Sequence, residues 1–224
     1  AQRRSTAART SVPPVAICNN AACCPLPGSG RRDWRPRSRL PARRRKSAIG
    51  LRHIRCCRRR SVVGQDPYPQ LGVADGIAFS CSRKGKAEKS LQYILKETIG
   101  DYTDTGRVMY TPEECDLRRW SNQGVLLINT ALTVEVNKIG SHYHLWKSFD
   151  EYLFEGLNRC CPDTIFILMG KKAEEWQTYL TNCKVLKCSH PASAAYRGGE
   201  WDCNDVFNKA NEILKKQDRT CINW

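Results

Sequence analysis

Four short apolar runs constrain this chain most. Residues 125–128 (Val-Leu-Leu-Ile) and 164–169 (Thr-Ile-Phe-Ile-Leu-Met) are continuous, 61–63 (Ser-Val-Val) is a stub, and 184–188 is weaker. A run without polar alternation suits a strand buried on both faces, as in a parallel sheet. Between the runs lie stretches with helical spacing at 90–99, 145–159, 173–180 and 205–217. In the second of these, Leu145, Phe149, Tyr152, Leu153 and Leu157 form the apolar set. Strand–helix alternation predicts right-handed crossovers and a doubly wound α/β domain. The expected core is a central four-stranded, mostly parallel sheet flanked by helices.

Polar residues follow each run. Gln65-Asp66-Pro67-Tyr68 follows the first, Asn129 ends the second, Gly170-Lys171 follows the third, and Ser189-His190-Pro191 follows the fourth. In open parallel sheets the ligand crevice lies beyond the carboxyl ends of the strands. One carboxylate, one carboxamide, one lysine and one imidazole are therefore expected on a single rim. Taken singly, an Asp before Pro is a common turn former and an Asn after a strand a common cap. It is their convergence that predicts a site.

Charge divides the chain. Residues 1–60 carry 17 Lys and Arg against one acid, Asp33, a net of +16; residues 61–224 carry 20 against 21, a net of −1. The overall +15, which on average would suggest a nucleic-acid binder, thus belongs to the first quarter. That segment holds 16 Arg to one Lys, scattered prolines and no sustained period. Three readings of 1–60 stay open: a solvated tail, a targeting segment, or a mis-read gene start. The domain boundary is placed between 60 and 61, leaving an irregular basic N-terminal segment before a folded 61–224. A hydrophobic fraction of 41% rules out wholesale disorder. No apolar run approaches the roughly 20 residues of a membrane helix. The 13 cysteines include no Cys-x-x-Cys pair. No metal site is expected, and the thiols read as structural, in a reducing compartment.

The motifs carry a resemblance. Gly64-Gln65-Asp66-Pro67-Tyr68-Pro69, Ala74-Asp75-Gly76-Ile77-Ala78-Phe79-Ser80 and the stretch from Gln123 through Asn129 to Val134 resemble family 1 uracil-DNA glycosylases. So do Ser141-His142 with Trp146 and Phe149, Leu168-Met169-Gly170-Lys171-Lys172-Ala173, Ser189-His190-Pro191, Tyr196-Arg197-Gly198 and the ending Ile222-Asn223-Trp224. The resemblance spans 62–224 and implies a DNA-repair hydrolase. Such an enzyme flips deoxyuridine out of single- or double-stranded DNA, cleaves its N-glycosidic bond and leaves an abasic site.

By the same resemblance, Asp66 orients or activates water and stabilises positive charge on the sugar, and His190 donates to the departing uracil O2. Asn129 reads the uracil edge, Gln65 adds contacts to it, Phe79 stacks on it, and Tyr68 crowds C5 so that thymine is rejected. Pro67, Ser90, Gly170, Lys171, Pro191, Ser193 and Arg197 contact the DNA backbone. Lys84, Lys86 and Lys89 supply attraction in a loop that is proline-rich in the family. Neither metal nor cofactor is implied, and a monomer without membrane association is expected. It is cytoplasmic in a bacterial or phage setting and nuclear or mitochondrial in a eukaryotic one. The alternative is a non-catalytic DNA-binding or replication accessory protein on the same fold.

Two departures from the family carry expectations. The family has a leucine wedge after the last His-Pro, where this chain has Ala194 and Ala195 in a loop one residue shorter. Activity on duplex DNA is therefore expected to fall relative to single strands. Upstream, the family's helices before the catalytic motif have no counterpart, and Arg58-Arg59-Arg60 abuts the first strand. Burying such arginines carries a severe desolvation cost.

Overall fold

A computed structural model describes residues 60–81, 87–100 and 110–224, together with the backbone of 15–17, 103–104 and 107–108. Lys84, Lys86 and Arg58-Arg59 lie outside the described residues, as does almost all of the N-terminal segment, so its three readings remain as they stood.

In chain order the elements are β1 (Val15–Ile17), β2 (Arg60–Gly64), α1 (Lys89–Ile99), β3 (Thr103–Asp104), β4 (Arg107–Val108), α2 (Pro112–Cys115) and α3 (Arg118–Asn122). They continue with β5 (Val125–Asn129), β6 (Thr133–Glu135), α4 (Tyr143–Cys160), β7 (Ile165–Met169) and α5 (Lys171–Glu174). A 3-10 turn (Glu175–Tyr179), β8 (Lys184–Cys188), α6 (Pro191–Arg197) and α7 (Val206–Lys216) complete the fold.

The central sheet has the order β5-β2-β7-β8, and every neighbouring pair in it is parallel. Its strands coincide with the four apolar runs. The chain moves from β2 outward to β5, then crosses back over β2 to β7, which puts the switch point between β2 and β7. Crevices form at the carboxyl side of such a switch. Alternate side chains feed two cores. Val62, Ile165, Ile167 and Met169 pack with Leu91, Trp120, Phe207 and Trp224 on one face. Val63, Ile128, Phe166 and Leu168 pack with Leu153, Phe154, Leu157 and Trp176 on the other. Each fully buried Val, Leu or Ile contributes roughly 1.5–3 kcal/mol of transfer free energy. Pairs of such positions therefore fix the strand register.

The structure corrects the sequence reading in four places. Leu145, Phe149 and Tyr152 of α4 are exposed at 61%, 40% and 53%, and the buried face is Asp150, Leu153, Phe154 and Leu157. The apolar spacing of that helix mixed two faces. The helix expected at 173–180 is a single α-turn tightened into 3-10, which keeps Trp176 stacked on Phe154 at 5.3 Å and returns Leu180 to the core. The stretch after His190, read as a loop, is the helix α6. It has Pro191 at its first turn and Gly198 (φ 67°) closing it, caps too close together to leave a visible period. Finally β1, inside the segment without sustained period, pairs antiparallel with β6 over three residues, too few for a periodic signal.

Arg60 meets part of the expected burial cost by its position, although burial still lowers its pKa. It is the first residue of β2 and only half-buried, and its guanidinium donates to the carbonyls of Gln123 (3.2 Å) and Thr220 (2.7 Å).

Candidate active site

The crevice is made possible by the absence of two side chains. Gly64 ends β2 opposite Asn129 in β5. A Cβ on Gly64 would strike the Asn129 carboxamide and come within 2.9 Å of the Phe79 ring. Gly170 ends β7 with φ 87°, and a Cβ there would lie 2.7 Å from the Cβ of His190. The two glycines let Asn129, Phe79 and His190 close over the switch point.

Phe79 is delivered by a clamped loop. Its φ is 65°, uncommon for a residue with a bulky side chain. The buried Asp75 carboxylate accepts from the Ile77 N–H (3.3 Å) and from the Ser80 hydroxyl (2.6 Å). The Ser80 oxygen accepts in turn from the Leu117 N–H at 3.2 Å. Tyr68 donates its hydroxyl to the Phe79 carbonyl at 2.8 Å, so ring and loop hold each other. These bonds offset the backbone strain. The Phe79 and His190 rings lie 5.7 Å apart, tilted by 39°.

His190 is the N-cap of α6, and its Nδ1 accepts the Ala192 N–H at 3.2 Å. An accepting Nδ1 leaves the proton of a neutral imidazole on Nε2. Burial pushes its pKa down to about 4, so the ring is neutral at physiological pH. Asp66 accepts the Gly140 N–H on Oδ2 at 2.7 Å. Burial raises its pKa, partly offset by that hydrogen bond. The Tyr143 hydroxyl is buried near Asp66 and Gln65, outside hydrogen-bonding geometry; burial first, and the Asp66 charge second, raise its pKa. The Gln65 carbonyl is held by the Thr130 hydroxyl (2.8 Å) and the Ala131 N–H (3.0 Å).

The resulting cleft has a volume of about 550 Å³. Gln65, Asp66, Pro67, Tyr68, Phe79, Ser90, Asn129, His190 and Ser193 all line it. Lys89 joins them at the start of α1. Four predicted residues do not line the cleft. Gly170 supports His190 from behind, Pro191 is buried in the first turn of α6, Lys171 is exposed at the start of α5, and Arg197 folds back onto the Ser193 carbonyl at 3.1 Å. Among the described residues no cluster of three or more His, Cys, Asp or Glu is arranged to hold a metal. None of the eight described cysteines is in a disulfide. No described helix is long and apolar enough to cross a membrane.

The sequence model of the Uracil DNA glycosylase superfamily matches residues 57–215. The chain belongs to that superfamily. The Uracil-DNA glycosylase of Pseudomonas aeruginosa strain PAO1 is 36% identical over 167 residues, which is 73% of this chain and 69% of the relative. That of Buchnera aphidicola is also 36% identical over 167 residues, 73% of this chain and 72% of the relative. The crystal structure of mimivirus uracil-DNA glycosylase superposes with a TM-score of 0.61 at 25% identity, covering 74% of this chain and 67% of the other.

Within this glycosylase fold, residues without a role in the sequence reading also bear on the cleft. Tyr196 is 78% exposed and stands on its rim, whereas Ala194 points into the core. Gly140, before α4, and Tyr143, its first residue, stand behind Asp66 rather than in the cleft wall. Their involvement carries no local signal, because it depends on where a turn brings a backbone N–H to Asp66.

Proposed function

We propose that this protein is a uracil-DNA glycosylase that hydrolyses the bond between uracil N1 and deoxyribose C1′ in DNA, in base-excision repair. The observation that carries the reading is the pairing of Asp66 with a neutral His190 across one cleft. As the C1′–N1 bond breaks, positive charge develops on the sugar and negative charge on the leaving base. The Asp66 carboxylate, with Oδ2 held by Gly140, offsets the first and orients water with its other oxygen. The water oxygen bonds to C1′ and its proton passes to Asp66. The electron pair of the broken bond leaves with uracil, and the Nε2–H of His190 donates to O2 of that anion. A neutral donor leaves no charge to be repaid when the product departs.

Asn129, fixed above Gly64, suits the uracil edge because a carboxamide both donates and accepts. Gln65 adds contacts to the base, and Phe79 offers a face for stacking. The Tyr68 ring, tied to the Phe79 carbonyl, bars the thymine methyl. Pro67, Lys89, Ser90 and Ser193 face the strand from the cleft wall, with Lys89 and Ser90 in the first turn of α1, where N–H groups favour phosphate. Gly170 and Pro191 act by holding His190 and the first turn of α6, and the exposed Lys171 and Arg197 contact the DNA backbone outside the cleft. Tyr196 takes the place that the alanines leave empty: a large exposed ring beside the cleft can enter the gap left by a flipped nucleotide. The reading takes the protein to act as a monomer on single- or double-stranded DNA. The bacterial relatives support a cytoplasmic location.

Release of uracil from a single-stranded oligonucleotide tests the reading. The wild type releases it, and Asp66→Asn loses about 10²–10⁴-fold in rate. A folded wild type without release, or an equally active Asp66→Asn, would overturn it.

A further inference from the structure

Asp66 is held from behind by one backbone group, the Gly140 N–H on Oδ2. Gly140 is itself fixed. It lies with φ 78° in the turn between β6 and α4, where the Lys138 carbonyl accepts the Ser141 N–H at 3.2 Å and the Ser141 hydroxyl accepts the Glu135 N–H at 2.8 Å. Tyr143, the first residue of α4, donates its N–H to the Gly140 carbonyl at 3.4 Å. Its ring stands where a Gly140 side chain would be, since a Cβ there would meet the ring at 2.9 Å. The Lys172 ammonium sits over this ring, 5.7 Å from its centre, and is tied to Glu175 at 2.8 Å. A phenylalanine would serve all of this packing. Yet the side chain ends in a hydroxyl beside Asp66 and Gln65, buried without a hydrogen bond among the described residues. A buried hydroxyl without a partner is destabilising, and native structures hold few of them. Hydrogen bonds to a catalytic group are often long in the free enzyme and tighten only in the reacting complex.

We propose that Tyr143 is a positioning residue: its hydroxyl donates to the Asp66 carboxylate once DNA fills the cleft, and with the Gly140 N–H it aims the other Asp66 oxygen at the water. The inference rests on the glycosylase reading of the cleft. Asp66 is ionised before the water attacks and takes up the water's proton as the new bond to C1′ forms. A donor behind the carboxylate favours its charged form and so keeps it ready to accept. The hydroxyl stays protonated throughout, because burial first and the Asp66 charge second raise its pKa. On the cleft side, the charged and titratable groups around the pair are Tyr68, Glu88, Lys89 and His190. Behind it are His144, Lys147 and Asp150 on α4, Lys172 on α5, and Glu175 and Tyr179 on the 3-10 turn. None of them gives the Tyr143 hydroxyl a hydrogen bond.

Tyr143→Phe keeps the ring and removes only the hydroxyl. Single-turnover uracil release from a single-stranded oligonucleotide, followed from about pH 4 to 9, reads its effect. The variant stays folded by circular dichroism, and its half-saturating oligonucleotide concentration stays within about twofold of the wild type. Its saturated rate falls about tenfold, as for loss of one hydrogen bond to a charged group. Its acid-side midpoint moves toward neutral pH by about one unit, because an Asp66 without this donor is harder to ionise. A tyrosine with a packing role alone would leave the midpoint in place and, on losing an unmatched hydroxyl, would gain in Tm. An unmoved midpoint, an unchanged saturated rate, or a loss confined to the half-saturating concentration would each overturn the proposal. If Asp66→Asn is inactive while Tyr143→Phe behaves as wild type, only this inference falls. A folded wild type that releases no uracil would remove both it and the glycosylase reading.

Discussion

The two ends of the central sheet are built to different standards. At the carboxyl end, Gly64 and Gly170 clear space for three side chains, and Asp75, Ser80 and Tyr68 bond the loop that carries Phe79. At the amino end, in the first residues of β2 and in helix α3 before β5, several polar atoms are unmatched. The Ser61 hydroxyl, the Arg60 Nε, the Trp120 Nε1 and two nitrogens of Arg119 are buried without hydrogen bonds among the described residues. Buried polar groups are normally satisfied. The contrast says that the rim is shaped for chemistry, with the Tyr143 hydroxyl unmatched behind Asp66, and that more of the unmatched polar atoms lie at the opposite edge.

The sharpest break of this contrast is Gly64→Ala. The added methyl must displace the Asn129 carboxamide or the Phe79 ring. A displacement near 1 Å in a preorganised site costs on the order of 10²-fold in rate. Single-turnover uracil release should therefore fall about that far, while far-UV circular dichroism stays unchanged. A variant as active as the wild type would show that the rim is looser than its geometry.

The next effect is in the pH profile. Asp66 must be ionised, and its pKa is raised above the usual 3.8 by burial. His190 must be neutral, and its pKa is lowered from 6.5 to about 4. Both requirements fail on acidification, so the rate of uracil release falls on the acid side only. The His190 limb is displaced well below 6.5. Rates on single-stranded substrate should be flat from about pH 7 to 8, with no step at 6.5. A midpoint at 6.5 that disappears in His190→Gln would mean that the imidazole titrates normally and that burial does not control it.

A smaller effect separates strand types. Tyr196 stands exposed on the rim, beside the Ala194 and Ala195 that hold the place of the family's leucine. Tyr196→Ala should lower the duplex to single-strand rate ratio by about tenfold or less, in line with the few kcal/mol of unstacking that a wedge offsets. An unchanged ratio would return the site to the wedge-free state expected from Ala194 and Ala195.

Much of this was legible from residues alone, for a physical reason. Strands buried on both faces are written as continuous apolar runs, as in β5 and β7, while the edge strand β8, with Lys184 and Lys187 exposed, is written as the weaker run 184–188. The polar residues that follow them sit on one rim because parallel strands share a direction. What escaped was decided by tertiary placement. The buried face of α4 could not be read because Leu145, Phe149 and Tyr152 are apolar yet exposed. Helix α6 was missed because seven residues between a histidine cap and a glycine leave no period. Tyr196 carries no local signal of its exposure, because only helix α6 decides which of Ala194, Ala195 and Tyr196 points outward.

The smallest expected change tests the amino end directly. Ser61 pairs in register with Leu126 and Phe166, and its hydroxyl is buried without a partner on the face that holds Phe154 and Leu157. The first motif of the site begins at Gly64, at the other end of β2, so nothing in the chemistry of the rim requires this hydroxyl. Ser61→Val replaces the unmet hydroxyl with apolar surface in a strand that favours branched side chains. Removing the desolvated group stabilises by about 1–2 kcal/mol, less any strain from the added carbon. For a chain of this size that is a rise in Tm of roughly 2–6 °C. Differential scanning calorimetry measures it, and uracil release at 25 °C should stay at the wild-type rate. A lower Tm would mean that the site has no room for the larger side chain, and an unchanged one that the Ser61 hydroxyl is already satisfied. Either result would remove the asymmetry between the two ends of β2, because the amino end would then be as well fitted as the rim that Gly64 opens.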